Sequence, residues 1–389
     1  MGAVLAAIIA RAPGNRLSYP SPMKRLIKGL VLVVSVLAVL AGAGIAYLAA
    51  KKPAQRPAST EKIEATPARL ARGTYLVEHV CDCLTCHSRL RVDRFNVPPE
   101  PYTLGQGGLP FGKEFAVPGV VCAQNITPDS LDGLGKWTDG EILRAIREGV
   151  DRDGNALFPM MPYGSYRSLS DEDAKSIVVY LHTLLPVSHR VPPKRIDFPV
   201  NFLLKSVPRP LDGPVAAPDP KDTRAYGRYL SVISGCLECH TPHDEHGKPI
   251  PGREFSGGWE MKGPWGRNVT ANITPHKDTF VGQATKAEFI GRFKSFEKLR
   301  GDDIPPAPKG RNTVMPWLVL SGMAEDDLGA VFDYLKSVPP IENKVNPFPD
   351  APASNARTEA RMPSISRRSL TKADVSTATS TPYAVGPFG

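Results

Sequence analysis

The longest uninterrupted apolar run in the chain covers residues 29–50 and contains no charged side chain. At about 1.5 Å per residue, a helix of this length crosses the roughly 30 Å hydrocarbon core of a bilayer. Basic residues precede the run, and Lys51 and Lys52 follow it. A cleavable signal peptide normally has an apolar region of only about 7 to 15 residues. The pattern therefore favours an uncleaved transmembrane anchor over residues 29–50, although Ala41-Gly42-Ala43 leaves cleavage open.

Beyond this run, apolar residues recur with helical spacing in two corresponding sets. A Thr-x-x-Glu capping box precedes each of the apolar-periodic segments 142–146 and 289–293, which predicts a middle helix in each half. A later helix in each half starts with consecutive acidic residues and stops at Pro186 or Pro339, because proline cannot continue a helix. We therefore expect a mainly α fold with two similar halves.

Four short motifs occur once in each half, in the same order, as an internal duplication requires. Gly-x-Tyr-Leu, Cys-x-x-Cys-His, Asn-Ile-Thr-Pro and Met-Pro-aromatic start at residues 73, 83, 125 and 161 in the first half. Their counterparts start at residues 227, 236, 272 and 315. His87 and Met161 are 74 residues apart in the first half, and His240 and Met315 are 75 residues apart in the second.

Cys-x-x-Cys-His is the signature of c-type haem attachment. Two thiols three residues apart can add to the two vinyl groups of one porphyrin, and the adjoining histidine then reaches the iron. A zinc ribbon would need cysteine pairs about 15 to 20 residues apart, and a thioredoxin-like pair explains neither the histidine nor the second copy. The sequence thus predicts two covalent haem groups, bound through Cys83 and Cys86 and through Cys236 and Cys239, with His87 and His240 as proximal iron ligands.

A c-type iron with a proximal histidine needs a distal ligand, and a thioether in that position raises the reduction potential. Met161 and Met315 stand in equivalent Met-Pro-aromatic loops and are the predicted distal ligands. Met160 is an alternative in the first half, but the alignment of the two loops selects Met161. The other histidines have no counterpart in the opposite half and are interpreted as surface or core residues: His79, His182, His189, His243, His246 and His276.

Together these motifs resemble those of the dihaem and multihaem class I cytochromes c, particularly the cytochrome subunits of membrane-associated bacterial dehydrogenases for alcohols, gluconate and nicotinate. The resemblance extends over residues 67–343. It implies small helical domains around each haem, with thioether-bonding cysteines, a proximal histidine and a distal methionine. It also implies redox protein partners, a dehydrogenase as donor and a cytochrome, oxidase or quinone-linked enzyme as acceptor.

The predicted role is electron transfer and not catalysis, because six-coordinate His/Met iron has no open position for a substrate. The alternative is a dihaem enzyme of the peroxidase kind, in which one haem has an open or displaceable distal site. The two hypotheses differ in whether Met161 or Met315 is bound to iron.

Two cysteines, Cys81 and Cys122, lie outside the haem motifs. In an oxidising compartment a remaining even pair is most simply a disulfide, and two unrelated buried thiols are the alternative. The bridge would connect the haem-motif segment to the loop before Asn125.

The predicted layout is two tandem cytochrome c domains after an N-terminal transmembrane helix. Its segments are a cytoplasmic N-terminal segment (1–28), the anchor (29–50), a linker (51–66), domain 1 (67–187), a Pro-rich interdomain connection (188–220), domain 2 (221–343) and a disordered tail (344–389). Met23-Lys24-Arg25 looks like a natural start, so we expect initiation at Met23.

Covalent haem predicts that the domains lie in the periplasm, on the outer side of a bacterial inner membrane. The net charge of +9 is then expected to favour an acidic redox partner or anionic lipid, with no nucleic-acid partner.

Overall fold

The computed structural model describes residues 21–351 except His246 and Pro264. About 41% of the chain is helical, which confirms the mainly α prediction. Residues 1–20 of the expected N-terminal segment, most of the expected tail and the interpretation of His246 as a surface or core residue lie outside the described residues. The α-helices of the described residues are α1 (Ser21–Ala50), α2 (Pro67–Tyr75), α3 (Cys83–Cys86), α4 (Asp139–Glu148), α5 (Tyr163–Tyr166), α6 (Asp171–Leu181), α7 (Val200–Leu203), α8 (Thr223–Ile233), α9 (Cys236–Cys239), α10 (Phe280–Gln283), α11 (Lys286–Lys294), α12 (Trp317–Leu320) and α13 (Glu325–Ser337). A π-helix, Leu76–Val80, directly follows α2.

Helix α1 is the part of the described chain that is long and apolar enough to cross a membrane. It begins eight residues before the predicted anchor, at Ser21, and ends at Ala50 as expected. Its most apolar stretch is not buried against the rest of the protein. By length and composition, α1 is compatible with the predicted anchor.

In each half two helices pack against each other at a glycine. In the first half α2 packs on α6, and in the second α8 packs on α13. A Cβ atom at Gly73 would lie 2.0 Å from the Ser176 carbonyl oxygen, and one at Gly227 would lie 1.9 Å from that of Ala330. The glycine of the Gly-x-Tyr-Leu motif is therefore the residue that allows the two backbones to approach.

The middle helices α4 and α11 begin as their sequences predict. The Thr138 and Thr285 hydroxyls each accept a hydrogen bond from the backbone N–H of the glutamate three residues later. The carboxylate of that glutamate in turn accepts from the backbone N–H of the threonine. Both capping boxes are thus confirmed. They satisfy N–H groups that a helix start otherwise leaves without partners.

Short strands, which the sequence did not predict, accompany the helices. Strands β1 (Pro110–Phe111), β2 (Gly119–Cys122) and β3 (Arg195–Ile196) form one antiparallel sheet, with Phe111 opposite Val121 and Gly119 opposite Ile196. Strands β4 (Glu260–Gly263) and β5 (Gly266–Val269) pair as a hairpin. Because β3 belongs to the Pro-rich connection, this connection is held against the first half.

The segment expected to be a plain linker, residues 51–66, packs along the first half. The Arg56 guanidinium lies 2.8 Å from the buried Glu148 carboxylate, and the Ile63 N–H donates to Asp139 at 2.7 Å. The start of the expected disordered tail is also in contact with the fold. The Val269 N–H donates to the Pro347 carbonyl at 3.0 Å, and Arg267 pairs with Asp350 at 2.8 Å.

The buried core is continuous across the two halves, since one cluster includes both Leu76 and Leu230. Reciprocal polar contacts join the halves as well. The Tyr75 hydroxyl bonds to Asp327 and the Tyr229 hydroxyl bonds to Asp173, both at 2.6 Å. The tyrosine of each Gly-x-Tyr-Leu motif thus binds the acidic helix start of the opposite half, which fixes how the two halves face each other.

Candidate haem sites

The two Cys-x-x-Cys segments have the same backbone structure. Each forms one helical turn, α3 or α9, and each turn follows a residue in the left-handed region, Asp82 at φ 51° and Gly235 at φ 77°. Residues three apart in a helical turn lie on the same face. Both thiols of each pair are therefore presented to one side, as two bonds to a single porphyrin require.

Burial raises the pKa of Cys83 and Cys239 to about 12 each. Thr85 of the first motif and Pro316 of the second Met-Pro-aromatic loop line the same small cavity. The two candidate sites are therefore neighbours in the fold, although Cys86 and Cys236 are 150 positions apart in sequence.

Both motif histidines are oriented by a main-chain carbonyl. His87 Nδ1 lies 2.6 Å from the Gln124 oxygen, and His240 Nδ1 lies 2.7 Å from the Ala271 oxygen. Because a carbonyl only accepts, each Nδ1 carries the proton and each Nε2 keeps its lone pair for a metal. Burial lowers the pKa of both rings, against the smaller opposite effect of this hydrogen bond, which favours the neutral, ligating form.

The Asn-Ile-Thr-Pro motif supports these carbonyl acceptors, a role that sequence reasoning missed. Asn125 and Asn272 directly follow the acceptors Gln124 and Ala271. Each asparagine Oδ1 accepts from the threonine two residues later, at 2.7 Å from its hydroxyl and 2.9 or 3.0 Å from its N–H. Each Nδ2 donates at 2.8 Å to a carbonyl beyond the last helix of its half, that of Val187 or Ile341. The sequence feature that could have indicated this role is the identical recurrence of Asn-Ile-Thr-Pro in the two halves.

The two Met-Pro-aromatic loops also share one geometry. The N–H of the aromatic residue donates to the methionine carbonyl at 2.7 Å in both. Pro162 and Pro316 have φ −79° with ψ 47° and 62°, close to the inverse γ-turn. Met161 and Met315 pack against the hydrophobic core, whereas Met160 does not. This placement favours Met161 over Met160 as the candidate ligand.

The Met315 loop has an additional support from the first half. Asn96 Nδ2 donates to the Met315 carbonyl at 2.6 Å and to the Thr313 carbonyl at 3.1 Å. The Leu318 N–H donates to Asn96 Oδ1 at 2.8 Å. Asn96 is buried and has φ 62°, a conformation that asparagine tolerates better than most residues. One side chain of the first half thus fixes the second half's loop.

The disulfide between Cys81 and Cys122 stays a prediction. Both thiols are buried and free in the structure. Cys81 belongs to the helical core and its carbonyl accepts from Tyr166 at 2.8 Å, whereas Cys122 ends strand β2 outside that core.

Of the histidines not predicted to be ligands, His182 bonds to Asp139 at 2.8 Å and His243 lies 3.3 Å from Glu238. The described part of the chain has no group of three or more His, Cys, Asp or Glu side chains that could hold a bare metal ion. The residues present fit a covalently attached haem. They supply paired thiols on one face, an imidazole with a free Nε2, and a thioether in a repeated loop.

No protein-family model matches the chain. The chain is 28% identical over 314 residues to the cytochrome c subunit of alcohol dehydrogenase (quinone) from Gluconacetobacter polyoxogenes, which covers 77% of this chain and 61% of that protein. It is 34% identical over 193 residues to the gluconate 2-dehydrogenase cytochrome c subunit of Pantoea cypripedii, covering 46% of this chain and 39% of that one. It is 29% identical over 266 residues to a diheme cytochrome c-type protein of Cereibacter sphaeroides, covering 67% and 83%.

The chain therefore spans less than two thirds of the alcohol and gluconate dehydrogenase subunits. The resemblance predicted from the motifs is confirmed: the chain is similar to cytochrome c subunits of bacterial dehydrogenases and to a diheme cytochrome.

Proposed function

We propose that this protein is a dihaem c-type cytochrome that transfers electrons between a dehydrogenase and a respiratory acceptor. Its two tandem cytochrome c domains would be residues 67–187 and 221–343. The observation that carries the proposal is the duplicated histidine geometry. In both halves a Cys-x-x-Cys turn ends at a histidine whose Nδ1 is held by a main-chain carbonyl.

In this assignment Cys83 and Cys86 hold one haem and Cys236 and Cys239 hold the other. When bound, each haem supplies an iron that stores one electron by changing between the ferric and ferrous states. His87 and His240 would bind the iron through Nε2, and the thioethers of Met161 and Met315 would supply the second iron ligand of each haem. A rigid donor set keeps the ligands nearly unchanged between oxidation states, as an electron carrier requires.

The packing of the two halves supports electron exchange between the sites. The Tyr75–Asp327 and Tyr229–Asp173 bonds hold the halves in one arrangement, and Asn96 of the first half binds the Met315 carbonyl of the second. A fixed, short separation suits a protein that accepts an electron at one site and delivers it from the other.

Helix α1 would anchor the protein in a bacterial inner membrane, with the haem domains in the periplasm. This assignment is supported by the apolar length of α1 and by the attachment of haem c outside the cytoplasm. The donor would be a periplasmic or membrane dehydrogenase, because several relatives are cytochrome c subunits of dehydrogenases and α1 would hold the protein at the membrane. The net charge of +9 suits docking to an acidic partner surface.

The test is the haem content and axial ligation of the protein purified from membranes. We expect two thioether-linked haems per chain and a methionine-to-iron charge-transfer band from both. Met161→Ala and Met315→Ala should each remove about half of that band, since each removes one of two thioether ligands. The matched control, Met160→Ala, should leave the band intact.

Fewer than two covalent haems would overturn the dihaem assignment. A high-spin haem with rapid peroxide turnover in the unaltered protein would instead favour the enzyme hypothesis, because such a haem has an open distal position.

A further inference from the structure

A short segment of the interdomain connection lies against the end of α1. The Lys205 ammonium donates to the carbonyls of Leu48 and Ala49, at 2.9 and 2.6 Å. These are last-turn carbonyls of α1, which have no partner within the helix. A cation at this end also interacts favourably with the helix dipole. Lys205 therefore ties residues 197–207 to the point where the apolar helix stops.

This segment is apolar on its outer side. Phe198 is 77% exposed and Leu203 is 60% exposed, and the neighbouring Val207 is exposed as well. Leu204 points the other way and is buried, so it secures the segment to the protein. The outward residues are therefore not part of the described core, and their apolar surface lies beside α1.

The residues around the segment match a membrane surface. Arg195, Lys205 and Arg209 outnumber the one acidic residue between 195 and 209, Asp197. The Phe198 and Phe202 rings meet edge to face with centroids 6.0 Å apart, and the Lys205 ammonium lies 5.7 Å from the Phe202 ring. Aromatic and basic side chains of this kind are typical of the membrane–water interface.

The depth of the segment follows from its contact with α1. Tyr47, one turn before the helix ends, is exposed, and Lys51 and Lys52 follow directly. A tyrosine followed by lysines marks the level of the lipid headgroups on a membrane helix. Lys205 reaches the carbonyls between these markers. Leu203 is two residues away, and the Phe198 ring meets the Phe202 ring beside the Lys205 ammonium, so both lie near the same level.

We propose that residues 197–207 form a second membrane contact, in which Phe198, Leu203 and Val207 insert into the headgroup layer of the bilayer that α1 crosses. This inference rests on the proposed anchoring by α1. The contact would fix the orientation of the haem domains on the membrane surface, beyond what a single helix connected by residues 51–66 provides.

The experiment uses the full haem-loaded chain in bilayer nanodiscs of phosphatidylcholine and phosphatidylglycerol. Phe198→p-benzoylphenylalanine places a photoreactive aromatic group at the proposed contact, and lipid adducts are counted by mass spectrometry after irradiation. Leu131→p-benzoylphenylalanine is the matched control, because Leu131 is 78% exposed in the first half. We expect roughly tenfold more adduct at Phe198 than at Leu131. Transfer of one aromatic side chain from water to lipid favours the lipid-contacting state by about this factor.

Two further variants separate the possible failures. Leu37→p-benzoylphenylalanine reports on the middle of α1 and should form lipid adducts. Absence of adducts at Leu37 would overturn the anchoring and this inference with it. Adducts at Leu37 with equal labelling at Phe198 and Leu131 would overturn this inference alone. Lys205→Ala should lower labelling at Phe198 by severalfold, and an unchanged haem content in all variants shows that the domains remain folded.

Discussion

Replacing Asn96 by glycine should weaken the loop that carries Met315 while leaving the Met161 loop intact. Asn96 has φ 62°, so glycine keeps the backbone conformation without strain and removes only the side chain. The lost contacts are the hydrogen bonds to the Met315 and Thr313 carbonyls and the one accepted from the Leu318 N–H.

The size of the effect follows from which groups lose a partner. The Met315 carbonyl still accepts from the Trp317 N–H at 2.7 Å, so losing the Asn96 hydrogen bond costs it little free energy. The Thr313 carbonyl and the Leu318 N–H lose the Asn96 contact in a buried place. Each unsatisfied buried group costs about 1 to 3 kcal/mol, and a water molecule that enters the vacated space offsets part of this cost. We expect the free energy of unfolding of the loop to fall by about 3 kcal/mol.

The assay is a urea titration of the oxidised protein, followed through the methionine-to-iron charge-transfer absorbance. With a slope of about 1 to 3 kcal/mol per M urea, a loss of 3 kcal/mol moves the midpoint by about 1 to 3 M. Asn96→Gly should therefore separate the absorbance loss into two steps, the earlier one belonging to Met315. Asn96→Ala should shift that step further, because a non-glycine residue in the left-handed region adds about 1 to 2 kcal/mol.

The Met161 loop in the same molecule serves as the internal control, and its half of the absorbance should keep the midpoint of the unaltered protein. A single transition at the original urea concentration in Asn96→Gly would refute the reasoning. So would an equal shift of both halves, which would mean that Asn96 acts on the whole fold.

Four further substitutions test the packing of the halves and of the first haem motif. Tyr75→Phe and Tyr229→Phe should each lower the free energy of unfolding by about 1.5 kcal/mol, the contribution of a hydrogen bond to a carboxylate, as measured by chemical denaturation. Gly227→Ala should lower it by about 3 kcal/mol, because the new methyl group would lie 1.9 Å from a carbonyl oxygen of α13. Asp82→Gly should raise thermal stability by about 1 kcal/mol by removing left-handed strain at φ 51°. That gain should be larger at pH 8 than at pH 5, because burial raises the pKa of Asp82 to about 7. The folded protein then holds a proton that the unfolded chain has released, so stability falls as the pH rises from about 4 to 7.

Each of these changes has a matched control. Tyr102→Phe alters a tyrosine that is 93% exposed and should leave stability unchanged. Gly164→Ala adds a methyl group where no atom lies within 4 Å, and should be neutral or slightly stabilising in its helix. Asp82→Asn keeps the left-handed strain but removes the charge, so its stability should lose the pH dependence without the full gain. Equal effects of each change and its control would contradict the stated causes.

The elements that the sequence predicted are those whose interactions lie within a few residues. The capping boxes of α4 and α11 join residues three apart. The apolar run predicted α1 up to its last residue, Ala50. The repeated spacing also identified the same candidate residues in both halves, because a duplicated fold must place equivalent ligands at equivalent positions.

The tertiary structure decided the contacts that join residues far apart. Asn96 and Met315 are separated by 219 positions, and Lys205 and Leu48 by 157. Neither pair carries a sequence pattern, because a hydrogen bond to a main-chain group places no requirement on the identity of its partner. The packing of residues 51–66, the reciprocal Tyr–Asp contacts and the separate surroundings of Cys81 and Cys122 also depend on residues far apart in sequence, which no local pattern encodes. Local patterns thus indicated the candidate haem-binding residues of each half, and long-range packing decided how the two halves and α1 are joined.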